Sequence, residues 1–553
     1  MNEEAGKLTR AAGVVGVFTL LSRVTGLLRD VVIGFLFGAQ GAADAYFVAF
    51  RIPNLLRRLT AEGALTVAFV PVFTNYMAKE GKAEAVKVAQ IVFSFVTIFL
   101  GLITFLGVVF AGPLTRFFAP GFLQEPEKLQ MAVSLTRWMF PYIFFVSLVA
   151  LAMGILNSLR HFMAPAMSPV LFNLCNIATA IIFYPLLAEP ILGLAFGVLI
   201  GGAAQLLFQV PYLLKHGIHL RFNFNFKHPG LGRLLYVMGP AAFGAAVYQI
   251  NVLVSTMLAS FLPSGSVSYL YYADRFLEFP VGIFAIALGT AALPSFSMLV
   301  VNGNITELRA TLGYALRMVN FICLPATAGL AVLAVPLFAI FFQRGAFDAN
   351  ATMNSAQALV FFSLGLWSIS GTKLVAPVFY AMEDTKTPVL VAIVAFVINF
   401  VASLALMGDI NVEANPAGFI TQTVALATAR IGLIPLGHGG LALATSVSSI
   451  CNFFILLLVL HRRLEGIPLR EVAESFLRNF ISASLMALPL FWIVGQVDWT
   501  GSGIDAYSKV LVLGSLIIFG CSFYLLLSYL LRSPEWQVVE QFRRSLQSRL
   551  FQG

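Results

Sequence analysis

Residues 387–408 read TPVLVAIVAFVINFVASLALMG, a run without one Asp, Glu, Lys or Arg. Coiled into a helix that rises about 1.5 Å per residue, such a run is about 33 Å long. That is enough to cross a hydrocarbon layer about 30 Å thick. Comparable apolar runs lie near 13–37, 45–76, 85–115, 130–157, 165–187, 190–214, 234–261, 267–301, 307–342, 352–382, 439–461, 476–497 and 509–531. They are continuous, whereas the strands of a membrane barrel alternate apolar and polar positions. The expected fold is an all-α polytopic membrane protein with fourteen transmembrane helices.

Composition agrees. Of 553 residues, 59% are hydrophobic and 11% charged, with a mean hydropathy of +0.89. Soluble domains carry about 25% charged residues. A net charge of +9 could indicate nucleic acid, but the basic residues sit in short turns between apolar runs. That is the signature of membrane topology, so no nucleic-acid partner is expected. Cys175, Cys323, Cys451 and Cys521 lie inside apolar runs without metal-like spacing and read as small core residues. Met1–Arg10 is polar, and the run after it contains Arg23, Arg29 and Asp30. This is not the short uncharged core of a cleavable signal peptide, and it reads as a functional first helix.

Lysine and arginine decide the orientation. With both termini cytoplasmic, the cytoplasmic segments hold 21 basic residues and the outer segments six, Arg116, Lys128, Arg137, Arg344, Arg430 and Lys509. The positive-inside rule favours this arrangement, and an odd number of crossings would scramble it.

The chain also repeats itself at an offset of about 223 residues. Val70-Pro71-Val72-Phe73 matches Leu293-Pro294-Ser295-Phe296, Pro113-Leu114 matches Pro336-Leu337, and Pro165 matches Pro388. Ala49-Phe50-Arg51 matches Ala273-Asp274-Arg275 with one residue of slip. An even number of helices per repeat makes the halves parallel, and transporters commonly bind substrate between such halves. The expected organisation is an N-terminal lobe over 1–230, a C-terminal lobe over 231–465, an added helix pair over 466–532 and a tail over 533–553. Residues 409–437 form the longest outer connection. In the tail, Trp536, Val539, Phe542, Leu546 and Leu550 fall near one face, as in an interfacial amphipathic helix.

Seven of the 34 basic residues fall within or at the edges of the apolar runs: Arg23, Arg29, Arg51, Arg57, Arg58, Arg275 and Lys373. A charge at the centre of a spanning helix costs about 2.5–3.5 kcal/mol on insertion scales. Snorkelling from a helix end would relieve Arg51 and Lys373. Candidate partners are Asp30, Asp44, Glu62, Asp274 and Glu278. Arg58 and Glu62 stand at i,i+4 and Arg275 and Glu278 at i,i+3, both within reach. Arg23 and Asp30 share a face, while Arg29 and Arg57 have no equally obvious local partner. Seven cations against five acids leave an excess of two positive charges, which a diphosphate diester would balance. Arginine predominates over lysine, and its planar fork grips phosphate oxygens in pairs. No zinc-protease, nucleophile-elbow or P-loop pattern is present. The chain is read as a transporter rather than an enzyme, with no metal and no cofactor.

The first helix pair contains Ser22-Arg23-Val24-Thr25-Gly26-Leu27-Leu28-Arg29-Asp30, then Asp44 to Arg58 with Ala49-Phe50-Arg51-Ile52-Pro53-Asn54, then Ala61-Glu62-Gly63-Ala64 and Ala68-Phe69-Val70-Pro71. Later come Tyr272-Ala273-Asp274-Arg275, Glu278-Phe279-Pro280, Ala287-Leu288-Gly289-Thr290, Ala376-Pro377, Phe379-Tyr380, Asp384 and Thr387-Pro388. Over nearly its whole length the chain closely resembles the MurJ (MviN) family of bacterial lipid II flippases, of the MOP exporter superfamily. The resemblance implies two six-helix lobes around a cationic central cavity and a C-terminal helix pair that forms a groove for a polyprenyl tail. It also implies functional roles for Arg23, Arg29, Arg57, Arg275 and Asp44. Asn54, Arg58, Glu62 and Glu278 complete the candidate substrate-binding set.

The expected activity is transfer of lipid II across the bacterial cytoplasmic membrane by alternating access. The partners are lipid II and membrane lipids, with cell-wall synthesis proteins as further candidates. Two transport readings stand beside it: a flippase for another polyprenyl-diphosphate-linked oligosaccharide, and a multidrug exporter of the same superfamily. A membrane-embedded transferase would need carboxylates or histidines arranged for chemistry.

Overall fold

The computed structural model describes residues 2–58, 65–410, 419–501, 503 and 505–536. In chain order its helices are α1 (Asn2–Phe37), α2 (Gly41–Arg57), α3 (Thr66–Lys79), α4 (Lys82–Val109), α5 (Ala111–Phe118), α6 (Pro126–Met139), α7 (Tyr142–Ser158), α8 (Met163–Phe183), α9 (Leu192–Lys215) and α10 (Pro229–Ala259). They continue as α11 (Ser266–Pro280), α12 (Ile286–Val301), α13 (Ile305–Val332), α14 (Ala334–Phe341), α15 (Ala349–Ser363), α16 (Leu366–Ala381), α17 (Lys386–Leu406), α18 (Phe419–Ile431), α19 (His438–Arg463), α20 (Leu469–Gly495) and α21 (Ala506–Leu530). No strand occurs among the described residues. Nine of the described helical segments are long and apolar enough to cross a membrane, or ten if the bent pair α15–α16 is one crossing. α1 is longer than any of these, but Arg23, Arg29 and Asp30 interrupt its apolar character. This is an all-α, multi-pass membrane protein.

The duplication is visible in the helix boundaries. α4 and α13 begin at Lys82 and Ile305, α5 and α14 at Ala111 and Ala334, and α8 and α17 at Met163 and Lys386, each pair 223 residues apart. Several of the apolar runs are broken helices. The run at 267–301 becomes α11 and α12 joined by a π-helical turn at Val281–Ala285, while the run at 45–76 contains α2 and α3 with 59–64 outside the described residues. The break within 267–301 follows Pro280, which has no N–H for the preceding turn. Within 409–437, expected to be a connection, the helix α18 forms. Residues 411–418 lie outside the described residues, as do 537–553, which include most of the expected amphipathic tail.

The chain forms two compact units. One comprises Met1–Ser268, Arg344–Phe347 and Val412–Thr423, and the other Tyr269–Gln343, Asp348–Asn411 and Val424–Gly553. In the first unit, Phe69, Phe73, Val88, Val92, Leu151 and Ile155 pack in a core built from α3, α4 and α7. α10 also belongs there, against α2, α3, α4 and α5. The duplication makes α10 the counterpart of α1, so the repeat and the packing divide the chain at different places.

In the second unit, Phe296, Leu316, Val375, Phe379, Phe453 and Leu460 join α12, α13, α16 and α19. The late helices α20 and α21 are tied to α13 by buried polar groups. Asn320 Nδ2 donates to the Val472 carbonyl at 3.1 Å and its Oδ1 accepts from Trp367 Nε1 at 2.7 Å. The Tyr524 hydroxyl donates to the Phe321 carbonyl at 2.7 Å and lies 3.0 Å from Asn479 Oδ1. Apolar contact discriminates poorly between lipid and a neighbouring helix, so such bonds help to specify where the pair docks.

Close backbone approach supplies the rest. A Cβ built on Gly440 would stand 2.1 Å from the Leu406 carbonyl oxygen, so α17 and α19 can meet there only at glycine. Gly440→Ala is expected to destabilise the protein by about 1–3 kcal/mol, the cost of overpacking. Thermal unfolding in detergent checks this against Gly495→Ala, where a Cβ meets nothing within 4 Å and no loss is expected.

Candidate functional site: buried charges on the helices

In the first unit the charges of α1 face α8. Arg29 is 8% exposed and Asp30 is fully buried. Arg29 donates to Asp30 Oδ1 through Nε at 3.0 Å and Nη2 at 2.7 Å, and through Nη1 to Asn173 Oδ1 at 3.1 Å. Asn173 is held in turn, its Nδ2 donating to the Ser22 carbonyl at 3.1 Å and to Thr25 Oγ1 at 3.2 Å. From sequence Arg29 had no obvious local partner, and in the fold it takes the adjacent Asp30. Adjacent helical side chains diverge, but the guanidinium is long enough to fold back onto Asp30. Arg23 lies half-buried on the same helix.

Asp44 on α2 is 1% exposed and makes the densest set of contacts. Its Oδ2 accepts from the Gly265 amide at 2.7 Å and stands 3.2 Å from Lys128 Nζ. Its Oδ1 accepts from the Ser268 amide at 2.9 Å and the Ser268 hydroxyl at 2.6 Å. A carboxylate from another helix thus caps the start of α11, where it meets unsatisfied amides and the positive end of the helix dipole. Lys128 is 7% exposed and also contacts Glu125 and Ser264 at 3.2 Å each, with the Phe122 ring 4.4 Å away. Counted among the outer-loop residues from sequence, Lys128 is in fact a buried partner of Asp44. Its position in a polar stretch masked this, and only folding brings the two together.

Further along α2, Arg51 donates to the Thr256 hydroxyl of α10. Arg57 Nε donates to Asn54 Oδ1 at 2.8 Å, one turn earlier. Arg58 is half-buried just beyond the helix. Glu62, its expected partner, lies outside the described residues.

In the second unit, Arg275 joins two neighbours on one face of α11. Its Nη1 meets Glu278 Oε2 at 2.8 Å, and its Nη2 donates to the Tyr271 hydroxyl at 3.0 Å. The guanidinium carbon also stands 4.6 Å from the Tyr271 ring centroid, a cation–π distance. Tyr271 was not singled out from sequence, although its position four residues before Arg275 is the signal. The π-helical turn begins immediately after Pro280, and a Cβ on Gly289 would lie 2.8 Å from the Lys373 carbonyl oxygen. Lys373 itself is exposed. Near the basic end of α17, Asp384 accepts from the amides of Lys386 and Thr387 at 3.0 Å each and pairs with Arg463. Hydrogen bonds from Thr387, with Arg463 nearby, hold its carboxyl below the usual range. No group of three His, Cys, Asp or Glu side chains suited to a metal occurs among the described residues.

An all-helical chain whose helix starts recur 223 residues apart, with at least nine described segments able to cross a membrane, defines the class: a polytopic membrane protein. The fold is shared with a solved structure titled as a lipid II flippase MurJ in an inward closed conformation, at a TM-score of 0.73 over 95% of this chain and 99% of that one, with 24% identity. A multidrug resistance transporter of the MATE family and MOP superfamily matches at a TM-score of 0.63 over 80% of this chain and 94% of that one, with 14% identity. These likenesses establish the fold. The family described as "Lipid II flippase MurJ" matches residues 33–414 and 413–502. A probable lipid II flippase MurJ of Vibrio cholerae is 36% identical over 95% of this chain and 96% of its own length. The lipid II flippase MurJ of Burkholderia cenocepacia is 35% identical over 94% and 96%. The chain belongs to the MurJ family.

Two expectations follow from the geometry. Asp44→Asn leaves the buried Lys128 ammonium with only the half-exposed Glu125 as a charge partner and is expected to cost about 3 kcal/mol. Lys128→Met should cost less, because Asp44 keeps its amide donors, and the double variant should recover part of the Asp44→Asn loss, because it removes the stranded ammonium. Thermal unfolding of the four proteins measures this coupling. The depressed carboxyl of Asp384 contributes stability above the unfolded aspartate value of about 3.9 and loses it as pH falls through the folded value. The melting difference between the parent and Asp384→Asn should therefore be present at neutral pH and shrink on acidification.

Proposed function

We propose that this protein moves lipid II from the cytoplasmic to the periplasmic leaflet of the bacterial cytoplasmic membrane by alternating access. Family membership along nearly the whole chain carries the reading: the relatives that match are named lipid II flippases. The buried arginines support it chemically. Lipid II presents a diphosphate, and Arg23, Arg29, Arg57 and Arg275 would grip its oxygens within a cationic central cavity through charge-assisted hydrogen bonds. Arg29 and Arg275 already sit in networks that hold their guanidinium groups in place, which lowers the ordering cost of binding. Asp44 acts indirectly, as a positioning group at the start of α11, and Asn54 does the same for Arg57. Arg58, Glu62 and Glu278 would adjust the charge around them.

In this scheme fourteen helices cross the membrane with both termini cytoplasmic, as lobes over 1–230 and 231–465 with the pair over 466–532 added. The buried bonds that hold α20 and α21 on α13 would set a groove for the polyprenyl tail. The Pro280 break and the π-helical turn give α11–α12 a place to bend as the lobes rock. Substrate drives the cycle only through a difference in affinity between the two states. Membrane potential acting on a cationic site would add about 2.3 kcal/mol per charge per 100 mV. Cell-wall synthesis proteins are the natural partners on either side of such a step.

Depletion with complementation tests the proposal. Lipid II accessibility at the outer leaflet should fall on depletion and recover with the parent chain. Arg29→Ala and Arg275→Ala should each weaken lipid II binding by roughly 10–100-fold, the value of a charged hydrogen bond of about 1.5–3 kcal/mol, and fail to rescue. Unchanged outward lipid II on depletion would remove lipid II as the substrate.

A further inference from the structure

The connection between α9 and α10 reads His219-Leu220-Arg221-Phe222-Asn223-Phe224-Asn225-Phe226-Lys227, alternating aromatic with polar or basic residues. It is neither helix nor strand, and it does not project away from the protein. Instead it lies along α4. Gln90 Nε2 donates to the His219 carbonyl at 2.7 Å, and the Asn223 amide donates to Ser94 Oγ at 2.7 Å. Gln90 and Ser94 are one turn apart on α4, and here they meet backbone groups of the extended segment. Aromatic contacts continue the seam, with Phe222 on Phe93 at 5.4 Å between centroids and Phe226 on Phe95 at 6.3 Å. Phe95 then stacks on Phe99 at 5.7 Å.

The depth of this segment follows from helix length. α4 has 28 residues and is about 42 Å long, which exceeds a hydrocarbon layer of about 30 Å by about 12 Å. The surplus belongs at its charged end, where Lys82, Glu84 and Lys87 lie. Gln90 stands about 12 Å along the helix from Lys82, so the segment sits at the boundary between headgroups and acyl chains. Phe222, Phe224 and Phe226 are 58%, 64% and 40% exposed, and further along α4 Phe99, Leu102 and Phe105 are exposed as well.

The charged residues within the segment, Arg221 and Lys227, are both basic. Arg221, Lys227 and Lys215 are exposed, and the Lys82 ammonium lies against Gly217. On α4, Glu84 is engaged by Lys87 and His228. Exposed aromatic rings at the depth of the acyl boundary, flanked by basic groups at headgroup level, fit an acidic phospholipid. We propose that residues 219–227 form an interfacial wedge that inserts its three phenylalanines between lipids and recruits acidic phospholipid headgroups through Arg221 and Lys227. This site is distinct from the arginines assigned to the substrate, and it does not depend on what the substrate is.

The test uses the full chain in vesicles of phosphatidylcholine and phosphatidylglycerol, with bromine carried on the acyl chains of one lipid or the other at equal mole fraction. Phe224→Trp adds an indole whose emission is read as the difference from the parent, which contains five tryptophans. Phe226→Trp serves as a second reporter should the first variant fold poorly. The added emission should be blue-shifted and quenched several-fold more by brominated phosphatidylglycerol than by brominated phosphatidylcholine. Adding Arg221→Gln and Lys227→Gln should equalise the two lipids while leaving the quenching itself intact. Water-like emission without quenching would overturn the wedge. Equal quenching by both lipids before the basic residues are changed, or a preference that survives their removal, would overturn acidic-lipid recognition.

Discussion

A hydrocarbon layer offers no hydrogen-bond partner, so every polar group carried into it must be satisfied by the protein itself. The arrangement of buried groups in this molecule follows from that requirement. Arg29 is locked onto Asp30 and Asn173, and Asn173 is itself anchored to the turn of α1 above it. Asp44 gathers a lysine, two backbone amides and a hydroxyl. Arg275 takes a carboxylate on one side and a phenol on the other. In each case the partners of the buried ion come from the protein itself.

The same requirement organises regions remote from those charges. The added pair α20–α21 could slide over a greasy neighbour, but Asn479, Tyr524 and Asn320 meet specific carbonyls and amides and so define its seat. The extended segment after α9 would be intolerable at the membrane boundary without Gln90 and Ser94 to receive it. Where polar groups are absent, glycine permits close approach instead, as for Gly440 against the backbone of α17. Breaks at Pro280 and between α15 and α16 interrupt helices that would otherwise be single rigid rods.

Much of this was legible before folding. The apolar runs correspond to described helices, and the repeat inferred from a few proline motifs recurs in helix starts 223 residues apart. Hydropathy and proline spacing are properties of consecutive residues, and the membrane reads them locally. Less legible were the helix breaks inside long apolar runs and the appearance of α18 within a stretch read as a connection. Neither changes the local hydropathy enough to mark a boundary.

The sequence by itself determined that the chain is a duplicated, all-helical membrane protein, because burial in hydrocarbon is decided run by run. It also showed which ionisable residues are out of place, since a charge within an apolar run stands out against its neighbours. Only the tertiary structure decided their partners. Lys128 was read as a loop residue until folding set it 3.2 Å from Asp44. Arg29 and Asn173 are 144 positions apart, and Asp44 and Ser268 are 224 apart. Electrostatic attraction depends on separation in space across helices, which spacing along the chain does not encode.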